Sequence, residues 1–291
     1  MRILVTNDDG IYSIGLHVLA NAMRPLGEVT VVAPASEYSG AGASLGTLTF
    51  GEPTARPHTD IEALEGIETW SVTGPPALCV MYAQLGAFSE EPFDLIVSGI
   101  NPGQNVGWSV YHSGTIGAAL TGRNRGASGL AVSLGIHGLD FEGQTWPEIV
   151  AGMQWETAAR VAAQIVEGMI ESPSETPTVI NCNVPNGSYE DIAGWRTAPV
   201  GTNPPRVLTT TTLTEAEGGE EANHPGGGEG KVFKLGIDWG QKGNLIEGTD
   251  AWLVQNEHVS LTWLGHLREG DPDPAQHSAV AARLNKTIGT N

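Results

Sequence analysis

Met1-Arg-Ile-Leu-Val-Thr-Asn-Asp-Asp-Gly10 decides the fold, together with the segment that follows it up to Val29-Thr-Val-Val-Ala33. Ile3-Leu-Val5 is a short continuous apolar run, stopped by Asn7-Asp-Asp-Gly10. Leu16, Leu19, Ala20 and Met23 then recur at helical spacing, and Pro25 and Gly27 close that segment. The β-branched run Val29–Ala33 ends at Pro34. Strand, helix and strand within roughly 30 residues form a βαβ unit, whose crossover is almost always right-handed.

The theme repeats downstream. Leu95-Ile-Val97, Leu130-Ala-Val-Ser-Leu134 and Thr178-Val-Ile180 read as further strands, with helices expected over Thr115–Arg123 and Glu148–Ile170. Runs apolar on both faces and linked by helices predict a mostly parallel sheet covered on both sides, a three-layer Rossmann-like α/β domain over residues 1–190. After Pro185 the pattern changes. Arg206–Leu213, Lys231–Leu235 and His258–Leu264 read as strands without intervening helices, hence as antiparallel hairpins. Glu215–Gly230 is acidic and glycine-rich, the composition of a solvated loop. Pro274–Ile288 reads as a terminal helix. Residues 191–291 therefore look like a β-rich extension, an oligomerisation arm rather than a second enzyme.

Composition narrows the function. The 291 residues carry 14 Lys+Arg against 33 Asp+Glu, a net charge of −19. Such a field repels duplex nucleic acid and anionic membranes, so any anion must be attracted locally, by a metal ion or a helix N-terminus. No apolar run is long enough to span a bilayer, and Asp8 and Asp9 come too early for a secretory leader. Cys79 and Cys182 form neither a disulfide framework nor a zinc spacing, which fits a reducing cytoplasm.

In a parallel α/β sheet the strand C-termini share one edge, and ligands bind outside it. Four segments of suitable composition follow the expected strands: Asn7–Gly10, Ser36–Ser44, Ser98–Asn105 and His112–Thr115. Asp8 and Asp9 carry most of the weight, because adjacent carboxylates ending a buried strand are costly without a cation or proton. Neighbouring strand side chains diverge, so both reach one ion only if the strand ends between them, a turn Gly10 permits. Hard oxygen donors suit Mg²⁺ or Mn²⁺. The plain alternative is one Asp capping the next helix and the other facing water. Ser113-Gly-Thr115 before Ile116-Gly-Ala-Ala-Leu120 reads as a helix N-terminus, either an ordinary cap or a seat for phosphate or carboxylate. His112 is a weaker candidate for proton transfer. The two cysteines and Trp195, Trp239, Trp252 and Trp263 read as packing residues. No P-loop, no Gly-x-Gly-x-x-Gly turn and no Gly-x-Ser-x-Gly elbow occurs.

The ordered set of motifs resembles the SurE family, the survival-protein metal-dependent 5′/3′-nucleotidases. Met1–Gly10 resembles the family's N-terminus. Ala33-Pro34 with Ser39, Gly42 and Ser44 resembles its second loop, and Thr73-Gly-Pro-Pro-Ala77 with Cys79-Val80 its next segment. Val97-Ser-Gly-Ile-Asn101 with Gly103 and Asn105, and His112-Ser-Gly-Thr115, match two more. Asn181-x-Asn-Val-Pro185, Gly194-Trp-Arg196 and Thr249-Asp250 before Val259-Ser-Leu-Thr262 carry the likeness into the last third.

The resemblance implies one divalent metal, Mg²⁺ or Mn²⁺, held by Asp8, Asp9, Ser39 and Asn101, with phosphate bound by Asn105, Ser113, Gly114 and Thr115. It implies hydrolysis of nucleoside 5′- or 3′-monophosphates to nucleoside and phosphate, with Asp8 and Asp9 as the catalytic pair. It also implies a C-terminal extension exchanged between subunits of a homodimer or homotetramer. Tyr38, Pro102 and Thr197-Ala-Pro199 stand where many members carry basic residues, which counts against polyphosphate more than monophosphate. The competing expectations are a phosphatase with an aspartyl-phosphate intermediate and a nucleotide-binding module without turnover. Aspartyl-phosphate enzymes usually space their two aspartates by one residue, whereas Asp8 and Asp9 are adjacent.

Overall fold

A computed structural model describes residues 1–46, 51–136, 145–203, 214–215, 233–234, 243–267, 271 and 273–287. The first unit forms as its pattern predicts: β1 (Arg2–Thr6), α1 (Ile14–Met23) and β2 (Glu28–Pro34). Ser13 caps α1, its hydroxyl accepting from Leu16 N–H at 3.4 Å. β3 (Ala55–Pro57), β4 (Glu68–Val72), α2 (Pro76–Gln84), β5 (Leu95–Pro102), α3 (Gly114–Arg123) and β6 (Ser128–Leu134) follow. Next come α4 (Trp146–Ala151), α5 (Trp155–Glu171), β7 (Val179–Val184) and β8 (Gly194–Thr197). β9 (Thr214–Glu215), β10 (Phe233–Lys234), α6 (Asp250–Gln255), β11 (His258–Trp263) and α7 (Pro274–Thr287) complete the described elements.

Among the described residues the main sheet has nine strands in the order β3-β4-β2-β1-β5-β6-β7-β11-β8. The run from β4 to β7 is parallel throughout, with antiparallel pairs where β3 meets β4 and β11 meets β7. α1 and α5 pack on one face, and α2 and α3 pack together on the other. The strands are apolar on both sides because both sides are covered: Ile3 and Val5 enter one core cluster and Leu4 the other, all fully buried. Each such side chain contributes about 1.5–3 kcal/mol on leaving water. The chain runs from β1 outward through β2 to β4, then returns to β5 on the other side of β1. The strand order reverses there, and the crevice at that reversal is where ligands of such sheets bind.

Three expectations are corrected. Glu148–Ile170 is not one helix. α4 ends at Ala151 with Gly152 as its C-cap, and α5 restarts at Trp155 after Gln154, whose N–H donates to Asn186 Oδ1 at 2.9 Å. The last third is not simply hairpins. α6 precedes β11, while β11 pairs antiparallel with β7 and parallel with β8, so segments beyond residue 190 extend the main sheet. Trp195 and Trp263 are exposed rather than packed, because α5 does not reach across these outer strands. Arg206–Leu213 and most of Glu215–Gly230 lie outside the described residues, as does Trp239. Of Lys231–Leu235, Phe233–Lys234 pairs antiparallel with Thr214–Glu215. No described helix is long and apolar enough to cross a membrane.

Candidate active site

The segments after β1, β2 and β5 and the start of α3 come together at the strand reversal. Asp8 lies two residues beyond β1 and is buried. The Thr115 hydroxyl donates to Asp8 Oδ1 at 2.6 Å, and the N–H groups of Gly114 and Thr115 are turned toward the same carboxylate. The amino end of α3 is thus a carboxylate seat in the first instance, as a helix N-terminus favours. The approach is close: a Cβ on Gly114 would lie 2.7 Å from Asp8 Cβ and 2.8 Å from Oδ2, so only glycine leaves room for the carboxylate. Ser113 is the N-cap, its hydroxyl accepting from Ile116 N–H at 3.1 Å.

Asp9 points elsewhere, as adjacency demands. Its Oδ2 is buried with no hydrogen-bond partner. Burial, the Asp8 charge and the Glu37 charge together push its pKa up to about 8. Burial also raises Asp8, against the opposing pull of its donors. Two carboxylates that resist ionisation, Asp8 buried and Asp9 half-buried with an orphaned oxygen, fit a site built around a cation. Among the described residues no cluster of three His, Cys, Asp or Glu exists.

The other expected ligands flank this pair. Gly10 takes φ +98°, turning the chain against Ser36, and Tyr38 N–H donates to Asp8 C=O at 2.7 Å. That tie brings the β2 loop alongside Asp8. Ser39 on this loop is exposed, and its hydroxyl donates to Glu37 Oε1 at 2.7 Å. Asn101 lies beyond a register irregularity in β5, next to β1, with its Nδ2 donating to Gly103 C=O at 2.6 Å.

Asn105 sits behind α3 rather than on an open surface. Its Nδ2 donates to Ser133 Oγ at 3.0 Å and lies 3.5 Å from Thr115 Oγ1, so it stands next in line behind the Thr115–Asp8 bond. Asn105 N–H donates to Asn183 Oδ1 at 2.7 Å, and its carbonyl accepts from Asn181 and Asn183 at 2.8 and 3.2 Å. Asp250 anchors the same loop from the far end of the chain: it accepts from Gly107 N–H at 2.9 Å and from Gly201 and Ala251 N–H at 2.8 Å each. The resemblance included Asn181, Asn183 and Asp250 in its motifs, but reading for chemistry gave none of the three a role. Their signal was polar residues in buried settings, Asn181 and Asn183 alternating within an apolar strand. His112 is exposed, and its carbonyl accepts from Gly42 N–H. Burial raises the thiols of Cys79 and Cys182, the latter to about 12, so neither is a ready nucleophile.

A doubly wound α/β chain with a carboxylate pair at its strand reversal, one member of it held at a helix N-terminus, has the make-up of a metal-assisted hydrolase. The comparisons narrow this class. The Survival protein SurE family pattern matches residues 3–206, and the chain belongs to the SurE family. It is 39% identical over 262 residues to a 5′-nucleotidase SurE of Coxiella burnetii (strain RSA 331 / Henzerling II), covering 90% of this chain and 88% of that one. It is 36% identical over 263 residues to the 5′-nucleotidase SurE of Xylella fastidiosa (strain M12), with the same coverage. The crystal structure of the SurE protein from Aquifex aeolicus aligns with a TM-score of 0.67 and 29% identity, over 98% of this chain and all of that one.

Proposed function

We propose that the protein is a metal-dependent 5′/3′-nucleotidase that hydrolyses nucleoside monophosphates to nucleoside and phosphate. The observation that carries this reading is the Asp8–Asp9 pair at the strand reversal, with the orphaned Oδ2 of Asp9 and the α3 N-terminus that holds Asp8. One divalent ion, Mg²⁺ or Mn²⁺, would be held by Asp8, Asp9, Ser39 and Asn101. When bound, such an ion polarises phosphoryl oxygens and makes water more acidic. Asp8, fixed by Thr115, sets the geometry, and either carboxylate can take the proton from an attacking water. Ser113, Gly114 and Thr115 would receive the phosphate at the α3 end, sharing with Asp8 the donors that hold it, while Asn105, expected to bind phosphate itself, would act from behind Thr115. Asn181 and Asn183 hold Asn105 in place for that task.

The 5′-nucleotidase names of the relatives support the substrate class. Exposed Val280 and Leu284 on α7, together with exposed Trp195 and Trp263, support assembly through the 191–291 extension as a homodimer or homotetramer. Two buried free cysteines suit a cytoplasmic setting. Phosphate release from AMP tests the core of the reading. Release with Mg²⁺ or Mn²⁺, abolished by EDTA and restored by excess metal, is the expected result. No release with either metal would remove the assignment.

A further inference from the structure

Glu37 is not among the expected ligands, yet it stands at the edge of the carboxylate pair. A cleft of about 320 Å³ opens on the Asp9 side of the site, and both Asp9 and Glu37 line it. Among the described residues that line it, neither Lys nor Arg is present, and Glu37 forms no ion pair. What Glu37 does hold is the Ser39 hydroxyl, which donates to its Oε1 at 2.7 Å. The two residues flank Tyr38, whose N–H is tied to Asp8 C=O at 2.7 Å. The same loop is pinned again where Gly42 N–H donates to His112 C=O at 3.0 Å, just before α3. The pair is thus carried on backbone fixed to both sides of the site.

A serine hydroxyl has one proton and two lone pairs, and a cation takes only a lone pair. Ser39 is exposed, so without a fixed acceptor its proton would rotate freely among waters. Committed to Glu37, the proton is out of the way and both lone pairs stay available. The bond is charge-assisted, and a cation on the oxygen would make that proton a better donor, so carboxylate and ion reinforce each other's hold on the hydroxyl. Acceptors behind a metal ligand commonly set its orientation and basicity in this manner.

We infer that Glu37 is a positioning residue for the metal: it holds the proton of Ser39 so that the hydroxyl oxygen is free for the ion, and it acts through Ser39 rather than as a ligand itself. The inference rests on the placement of Ser39 in the proposed metal set. The test is the Mn²⁺ dissociation constant, read from the electron paramagnetic resonance signal of free Mn²⁺. It is measured for wild type, Glu37→Ala, Glu37→Gln, Ser39→Ala and the Glu37→Ala/Ser39→Ala double variant. Losing the partner behind a ligand weakens metal binding about 10–100-fold, so Glu37→Ala should bind about tenfold more weakly or worse. Glu37→Gln keeps an accepting oxygen and should recover part of that loss. In the Ser39→Ala background the Glu37→Ala change should cost no more than about threefold, the remainder due to its solvent-screened charge. Thermal melts in EDTA should show no loss for Glu37→Ala, because one repelling charge leaves the neighbourhood of Asp9. Equal losses in the two backgrounds overturn the inference, since Glu37 would then act on the ion directly or through its field alone. A Glu37→Gln protein as weak as Glu37→Ala overturns it as well. So does a Glu37→Ala protein that melts lower in EDTA, which would make the pair a brace for the loop. If Ser39→Ala binds Mn²⁺ as tightly as wild type, the inference fails while the carboxylate pair stands. If wild type binds no Mn²⁺, the metal reading fails with it.

Discussion

Asp9→Asn removes one charge and keeps the shape, and its effect should reverse sign with metal. Without metal, burial and the charges of Asp8 and Glu37 hold the Asp9 carboxyl up at about 8 in the folded chain, against an ordinary value of 3.8. A raised folded pKa means that the unfolded chain releases this proton first. The stability tied to the protonated carboxyl is therefore fully present below pH 3.8 and drains away as pH climbs toward 8. At roughly 1.4 kcal/mol per pH unit, the ceiling on that loss is on the order of 5 kcal/mol. Asparagine never ionises, so in EDTA the variant should melt increasingly above wild type from about pH 4 upward, with the gap levelling off past pH 8. Each kcal/mol is worth a few degrees in a chain of this size. With saturating Mn²⁺ the order should invert: wild type gains a compensating cation, whereas the variant has lost a charged ligand and with it most phosphate release. Thermal melts from pH 5 to 9, with EDTA and with Mn²⁺, read both halves. A variant that melts at or below wild type in EDTA at pH 8, or that Mn²⁺ stabilises as much as wild type, refutes the reasoning.

Gly114→Ala sets a methyl 2.7 Å from Asp8 Cβ, so α3 or the carboxylate must move by several tenths of an ångström. We expect a loss of about 1–3 kcal/mol in chemical denaturation and about 10²-fold in kcat, from misplacing Asp8. Asp250→Ala leaves the N–H groups of Gly107, Gly201 and Ala251 without their acceptor, at about 1–3 kcal/mol for each that finds no substitute. Urea melts should show the loss, and Asp250→Asn should recover part of it. Hydrolysis should pass through direct water attack. A single turnover with labelled nucleotide, quenched in acid, should leave no label on the protein, and retained label would favour an aspartyl-phosphate route.

What the sequence made legible is the part of the fold governed by local rules. The run Ile3–Val5, the Asn7–Gly10 stop and the spacing of Leu16, Leu19 and Met23 determine β1, its turn and α1 through periodicity and one glycine, with no distant partner needed. Asp8 and Asp9 stood out for a similar reason: two adjacent carboxylates closing a buried strand are expensive wherever the chain goes. The misses share the opposite character. Gly152 was too weak a signal to split the 148–170 run, because one glycine costs a helix only about 1 kcal/mol and the break depends on Asn186 supplying a cap from 32 residues away. The joining of β8 and β11 to the sheet depends on which strand edge is left open after β7, a property of the assembled layers. The Asp250 clamp closes over a separation of 143 residues, and its first partner is a backbone N–H, which carries no side-chain signal. The order of these contacts also explains why the chemistry was easier to find than its support. A catalytic pair must gather unusual residues at one point, whereas the groups that hold it in place need only be polar, buried and opposite one another once the chain has folded.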